Sequence, residues 1–377
     1  MDTDATPPPG TGTSPVVVAA RRTPVGTAGR GLREVDVTGL AAPVLGAVLD
    51  DAGAEAGEVG DVVLGNVMGP GGAVARVAAL QAGLGHGVPG ITLDRQCTSG
   101  LDAVALAAAR VRAGEARVVL AGGVESASTS SRPYARAAFV PAGGDDPEMG
   151  VAAETVAREA GIGRDRQDEY AAGSHARAMA AADAGRLRAE LVPVGRLERD
   201  ERPRRGLDRA RLGRLPPAFV PGGTVTAGNS CGIGDGAAVV AIAAESWRRA
   251  RGLPGLAVRA VQVSGVDPAR CGLAIVPAAV GALQRAGLTV ADLGAVEVTE
   301  AFAGQVLACL DALGVPRDLV CSDGGAIALG HPWGASGAVL VVRLFSRMVR
   351  ADGPRYGLAA CAAGGGQGVA VVVERVT

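Results

Sequence analysis

Four short segments carry residues whose types and spacing suit acyl transfer through sulfur. The first, Asp94-Arg-Gln-Cys-Thr-Ser-Gly100, opens an Ala-rich stretch. A cysteine at a helix N-terminus meets unpaired N–H groups and the positive end of the helix dipole, which favour a thiolate. Thr98 and Ser99 also have cap side chains, so the same tetrapeptide fits an ordinary cap. The second segment is Gly324-Gly-Ala-Ile-Ala-Leu-Gly-His-Pro-Trp-Gly-Ala-Ser-Gly337. A neutral His331, held by rigid backbone ahead of a new helix, serves as a base or an oxyanion donor. In the third, Val298-Thr-Glu-Ala-Phe-Ala303, a strand end runs into a helix and Glu300 is placed to cap or orient. The fourth, Ala359-Ala-Cys-Ala-Ala-Gly-Gly-Gly-Gln-Gly368, is a strand end followed by glycines whose N–H groups can face an oxyanion.

The elements that must position these segments alternate along the chain. Short β-branched runs predict strands at Val16–Ala20, Asp61–Gly65, Arg117–Gly122, Ala237–Ala243, Leu256–Ser264, Ala295–Thr299, Arg355–Cys361 and Gly368–Glu374. Several are apolar throughout, as strands covered on both faces are. Ala-rich stretches predict helices at Thr38–Ala52, Val74–Ala82, Ser99–Ala113, Val151–Ala160, Asp165–Ala184, Pro277–Ala286, Ala301–Leu313 and Ala335–Ala351. The alternation argues for an α/β layered fold. Residues 97–123 and 334–366 follow one order: turn, helix, short loop, Val- or Ala-rich strand, glycines. They read as a faint internal repeat and predict two related halves. Residues 123–220 break the pattern, with Arg, Asp, Glu and Pro and two amphipathic helices. Their charge-dense part, Glu198–Pro217, is either a solvated surface or an Arg-bearing lid for a phosphorylated ligand.

Composition narrows the chemistry. All 37 basic residues are Arg, so no Schiff-base or P-loop lysine exists. A net charge of −1 gives no field favouring nucleic acid or an anionic membrane. Apolar stretches are interrupted before the roughly 20 residues a membrane span needs. The polar, Pro-rich residues 1–14 lack the regions of a signal peptide and read as a disordered leader on a cytoplasmic protein. The six cysteines (97, 231, 271, 309, 321, 361) form no CxxC pair, and His86, His175 and His331 are too scattered for zinc; no metal or cofactor is expected. Most of the cysteines read as small buried hydrophobes.

Together the four segments resemble the thiolase family, and the match runs from about Val16 to Glu374. It includes Ala20-Arg-Arg-Thr-Pro-Val-Gly26, Val63-Leu-Gly-Asn-Val67, Ala121-Gly-Gly-Val-Glu-Ser126, Met149-Gly-Val-Ala-Ala-Glu-Thr155 and the run from Gly223 to Ala237. The resemblance implies a thiolase fold of two similar five-stranded α/β/α/β/α halves, from residues 15–122 with 221–250 and from 251–377. A loop domain at 123–220 would hold the nucleotide of coenzyme A. It implies a ping-pong reaction in which Cys97 takes the acyl group of an acyl-CoA, or of a carrier-bound analogue, and a second substrate then attacks. His331 would accept the Cys97 proton and later serve one oxyanion hole; the N–H groups of Cys97 and Gly364 would form the other. Thr299 falls at a catalytic position, where the family's Asn places a water in the first oxyanion hole, and Cys231, Gly232 and Phe302 fall at substrate or CoA positions. A homodimer is implied, because the stretch from Pro133 to Glu148 is short beside the loops that tie such dimers into tetramers.

The chain departs from the family pattern at three places. The family's second catalytic Cys, which moves the α-proton, falls on Ala362; Cys361 is one residue early and, by strand alternation, should face away from the site unless the strand is bulged. The family's Asn-Glu-Ala-Phe is Thr299-Glu-Ala-Phe here, and the Ser of the Ala-Gly-Asn-x-Ser-Gly signature is Cys231. Retained acylation residues without a carbon acid/base fit two outcomes. One is ordinary condensation and thiolysis of 3-ketoacyl-CoA, with His331 carrying both proton transfers. The other is specialised transfer to a non-carbon nucleophile or through a decarboxylating partner, with a non-catalytic subunit as the remaining alternative.

Overall fold

The computed structural model describes residues 12–130 and 138–377. Residues 1–11 of the expected leader and 131–137 of the expected loop domain lie outside the described residues. Gly12 and Ser14, also assigned to the leader, accept backbone hydrogen bonds from Ser246 and Glu245 and are tied to the body of the protein.

Ten strands form one sheet: β1 (Pro15–Arg22), β2 (Gly26–Thr27), β3 (Val59–Gly65), β4 (Gly90–Leu93), β5 (Val118–Ser126), β6 (Gly234–Ala244), β7 (Gly255–Gly265), β8 (Ala295–Val298), β9 (Tyr356–Ala363) and β10 (Gln367–Val376). Their order is β4-β3-β5-β6-β1-β7-β10-β9-β8, with β2 beside β6. Three pairs, β3–β4, β3–β5 and β8–β9, are parallel and the rest antiparallel. Every predicted strand is present; β5 and β6 are buried at every position, which explains their apolar runs.

The two predicted halves appear as β4-β3-β5-β6-β1 and β8-β9-β10-β7. A parallel bridge from Val296 to Val320 completes a fifth position in the second half. The halves share one hydrogen-bonded sheet, because Val16 and Val17 of β1 pair with Ala257 and Leu256 of β7. The helices of the first half are α1 (Val37–Ala52), α2 (Val74–Gln81) and α3 (Ser99–Arg112). Between β5 and β6 come α4 (Met149–Glu159), α5 (Arg164–Asp183) and the single turn α6 (Arg209–Leu212). After β6 follow α7 (Glu245–Ala250), α8 (Ile275–Ala286), α9 (Ala303–Leu313), the short α10 (Ala326–Leu329) and α11 (Trp333–Phe345). No helix among the described residues is long and apolar enough to cross a membrane.

Helices α3 and α11, which carry the two copies of the internal repeat, pack against one another and against strands of both halves. They meet through matching glycines. A Cβ on Gly100 would stand 2.7 Å from the Gly334 carbonyl oxygen, and one on Gly337 would stand 2.5 Å from the Leu101 nitrogen. Only glycine permits that approach. The Cys97 turn and the His331 turn, each just ahead of its helix, are thereby brought to the same end of the molecule.

Candidate active site

Cys97 follows β4 through a tight turn. Gln96, immediately before it, has φ +50°, a conformation uncommon outside glycine and often found where backbone is held for function. The turn is locked by its own side chains: Thr98 Oγ1 donates to the Arg95 carbonyl (2.7 Å), Ser99 Oγ donates to that of Gln96 (2.6 Å), and the Arg95 N–H donates to Ser99 Oγ (2.8 Å). α3 begins two residues after Cys97. Burial pushes the Cys97 thiol well above its ordinary pKa, and the neighbouring Cys361, Cys231 and Cys271 push it further. This shift opposes the helix-end stabilisation expected from the sequence, and a base would ease deprotonation of the thiol.

His331 lies in the turn just ahead of α11. Its backbone N–H donates to the Gly232 carbonyl (2.8 Å). Nδ1 lies 2.6 Å from Ser336 Oγ, whose hydroxyl donates to the Pro332 carbonyl at 3.0 Å. With the hydroxyl proton so used, Nδ1 carries hydrogen and Nε2 keeps its lone pair. Burial lowers the His331 pKa to about 4, so the ring is neutral near pH 7. Cys97 and His331 share no hydrogen bond among the described residues. Cys231 is close enough to Cys97 to perturb it, and Ile233, two residues on, bridges His331.

Two buried carboxylates hold the His331 loop. Glu300 accepts from Tyr170 Oη (2.9 Å), Ser174 Oγ (2.6 Å) and the Ile327 N–H (3.2 Å), fixing the segment that leads to His331. Glu125 accepts from Asn66 Nδ2 (3.2 Å) and from the N–H groups of Val67 (3.2 Å), Met68 (3.0 Å) and Gly334 (3.0 Å). Its burial raises its pKa to about 7, although the backbone donors pull it back. The sequence placed Glu125 in a matching stretch without a role; a carboxylate at a strand end beside two glycines was the available signal.

The remaining predicted residues fall around this pair. The Cys231 N–H donates to the Ala301 carbonyl (2.9 Å), and burial pushes its thiol up to about 12. Ser230 bridges Phe302, whose ring meets Phe219 edge-on at 5.9 Å. The Arg202 guanidinium packs on the face of Gly232. Gly364 opens the β9–β10 turn, and the ring of Phe139 lies where a Cβ would be, 2.5 Å from that position.

β9 pairs with β10 from Tyr356 to Ala363 without a bulge, so Cys361 and Ala362 point to opposite faces. Cys361 is fully buried, its thiol donating to the Cys97 carbonyl at 3.2 Å and pushed up to about 12 by burial. Ala362 faces a small cavity shared with Thr299 and Phe302. The Thr299 hydroxyl is near the Cys361 thiol yet makes no hydrogen bond of acceptable geometry.

His175 is elsewhere: its Nδ1 accepts from the Arg204 N–H (3.2 Å), and burial first, then Arg202 and Arg204, lower its pKa to about 4. Among the described residues no three His, Cys, Asp or Glu side chains converge as metal ligands do.

Comparison with known proteins identifies the family. Residues 15–246 match the family model for the thiolase N-terminal domain and residues 253–375 that for the thiolase C-terminal domain. The chain is 41% identical to an acetyl-CoA acetyltransferase of Thiocystis violacea over 96% of this chain and 99% of that one. It is 40% identical to the peroxisomal 3-ketoacyl-CoA thiolase A of Rattus norvegicus over 98% and 91% of the respective chains. The crystal structure of a Bacillus anthracis acetyl-CoA acetyltransferase superposes with a TM-score of 0.90 at 35% identity, covering 96% of this chain and 99% of that one. The chain therefore belongs to the thiolase family, a family of acyltransferases.

Proposed function

We propose that this protein takes an acyl group from an acyl-CoA onto Cys97 and passes it to a second substrate, in the condensation or thiolysis of 3-ketoacyl-CoA. The observation that carries the reading is the neutral His331, its Nε2 lone pair left available by the Ser336–Pro332 chain, on a turn that the packing of α11 on α3 brings toward the Cys97 turn. In the first half-reaction Nε2 takes the Cys97 proton, sulfur attacks the thioester carbonyl, and CoA leaves. The oxyanion would face the N–H groups of Cys97 and Gly364, and each such donor is worth about 10²–10³ in rate. The strip from Ser230 to Ile233 and the ring of Phe302 would border the pantetheine arm. Arg202 and Arg204, on the insertion between β5 and β6, would lie toward its phosphates.

A cytoplasmic homodimer is part of the same proposal. β4, which leads directly into the Cys97 turn, is hydrogen-bonded only to β3 among the described residues and exposes Ile91. An open apolar edge of that kind favours pairing with a second copy. Cys97, Cys231 and Cys361 are thiols, as a reducing compartment keeps them.

Incubation with acetyl-CoA and intact-mass analysis tests the first half-reaction. An acyl adduct should form on the wild type and be absent from Cys97→Ala; no adduct with acetyl-CoA or longer acyl-CoA would sink the proposal. A second reading, transfer to a non-carbon nucleophile or from a decarboxylating partner, is favoured by Ala362, a side chain that cannot move a proton. Thiolysis of acetoacetyl-CoA at an ordinary turnover rate would eliminate it.

A further inference from the structure

The cavity that Ala362 faces has a volume of about 20 Å³, room for a single water. Thr299, Gln305 and Cys271 line it with Ala362, and Met149 and Phe302 help close it. Two of these walls carry buried polar atoms without a hydrogen-bond partner: Thr299 Oγ1 and Gln305 Oε1, on residues 2% and 3% exposed. Orphaned polar atoms are rare in folded proteins and mark places where a ligand group or water belongs.

Cys271 lines this cavity from an element other than Ala362's strand. It lies in the helical turn Pro268–Ala274 that follows β7, is 3% exposed, and has Sγ 3.9 Å from Met149 Sδ. Its backbone is pinned on both sides. The Asp267 carboxylate accepts from the Ala269 N–H (3.0 Å), and Gln305 Nε2 donates to the Gly272 carbonyl (3.1 Å). Its thiol is also close enough that its charge raises the pKa of Cys97.

We propose that Cys271 is a catalytic residue, the thiol that moves the α-proton from across the cavity in place of Ala362. This rests on the acyl-enzyme reading above and supplies the acid/base group that reading lacks. In thiolysis the Cys97 thiolate adds to C3 of the 3-ketoacyl-CoA and the C2–C3 bond breaks. The electron pair stays on C2, which takes the proton of the Cys271 S–H, and acetyl-CoA leaves while the shortened acyl group stays on Cys97. Incoming CoA-SH then gives its proton to the Cys271 thiolate, its sulfur attacks the Cys97 thioester, and the Cys97 thiolate departs. Condensation runs the same steps backwards. The Thr299 hydroxyl and the Gln305 carbonyl would hold a water or the substrate oxygen beside C2.

Two measurements on the same full-length protein separate this inference from the acyl-enzyme reading. The first is the Cys97 adduct by intact mass. The second is deuterium incorporation into the methyl group of acetyl-CoA in D₂O, followed alongside thiolysis of acetoacetyl-CoA. Cys271→Ala should still take the acyl group but lose exchange and thiolysis by about 10²–10⁴-fold, the usual worth of general acid–base catalysis. Adding Ala362→Cys to Cys271→Ala should restore at least a tenth of the lost rate, by returning a thiol to another wall of the same cavity. A purely structural role for Cys271 predicts no such rescue. Thiolysis within about tenfold of wild type in Cys271→Ala would overturn the inference. So would a wild type that forms the adduct but neither exchanges nor thiolyses. No adduct on the wild type would overturn the acyl-enzyme reading itself.

Discussion

The two sides of the Cys97 cleft differ in how fully their polar groups are paired. On the His331 side, Glu125 and Glu300 each accept several hydrogen bonds, Ser336 links the ring to Pro332, and Thr98 and Ser99 lock the nucleophile turn. On the Ala362 side, Thr299 Oγ1 and Gln305 Oε1 have no partner among the described residues. The first side is nearly complete without a ligand, its exception being Arg177 Nη2, which stands 3.7 Å from Glu300 without a hydrogen-bond partner, and such preset pairing suits electrostatic stabilisation of an acyl transfer. The second holds unmet hydrogen-bonding capacity, which substrate or water would satisfy. A fixed acylation face and an open acceptor face suit one enzyme making the same acyl-enzyme repeatedly and meeting its second substrate afterwards.

The largest effect should come from the fixed side. His331→Asn keeps the approximate volume but removes the base, and acylation of Cys97 should fall by about 10²–10⁴-fold. In the wild type, stopped-flow CoA release should be nearly flat with pH across the neutral range. The His331 pKa is near 4 and burial holds the Cys97 thiol above its ordinary value, so neither group titrates there. A steep acidic limb centred near pH 6.5 would show that His331 is solvated during turnover and that this side is less preset than its hydrogen bonds imply.

The next effect is on stability. His331 has its folded pKa depressed, so folding is favoured while the ring is neutral and that advantage disappears as pH falls from about 6.5 through 4. The full loss is about 3 kcal/mol for a buried ring with this shift. Urea unfolding of wild type and His331→Asn between pH 7 and 4 should show the wild type losing more, with His175 supplying a similar loss common to both. Parallel curves would mean that His331 is protonated in the fold without cost.

The elements were largely legible because their signals are local. Buried strands such as β5 and β6 are apolar runs, and the internal repeat marked α3 and α11 as counterparts, though not that they meet. β4 went unread: Gly90-Ile-Thr-Leu93 is short and only partly buried, with no alternation to betray it. The joining of both halves into one sheet was also invisible, since it depends on two residue pairs between β1 and β7. Within the site, Cys97 and His331 stand in distinctive glycine-rich motifs. Cys271 has no such context, and its place in the Ala362 cavity follows from how a distant turn packs. The burial of Cys97 was not legible for a related reason: a helix N-terminus is a sequence feature, whereas desolvation is a tertiary one.

The smallest effect concerns Glu125, which ties the His331 loop to β5. Replacement by Gln puts an NH₂ where one carboxylate oxygen accepts, facing N–H donors of Val67 and Gly334 or of Asn66 and Met68. Below pH 4.5 this should cost about 1–2 kcal/mol, the price of leaving buried donors unmet. Burial raises the folded pKa of Glu125 to about 7, so its favourable contribution is full below the unfolded value and is lost as pH rises through 7. The stability gap between wild type and Glu125→Gln should therefore narrow from pH 4.5 to 8, opposite in sign to the His331 comparison. A gap that widens over that range would mean the four donors outweigh burial and hold the carboxylate charged. The His331 loop would then owe its rigidity to a fixed anion at the start of α11, and the acylation rate of Glu125→Gln should fall alongside its stability.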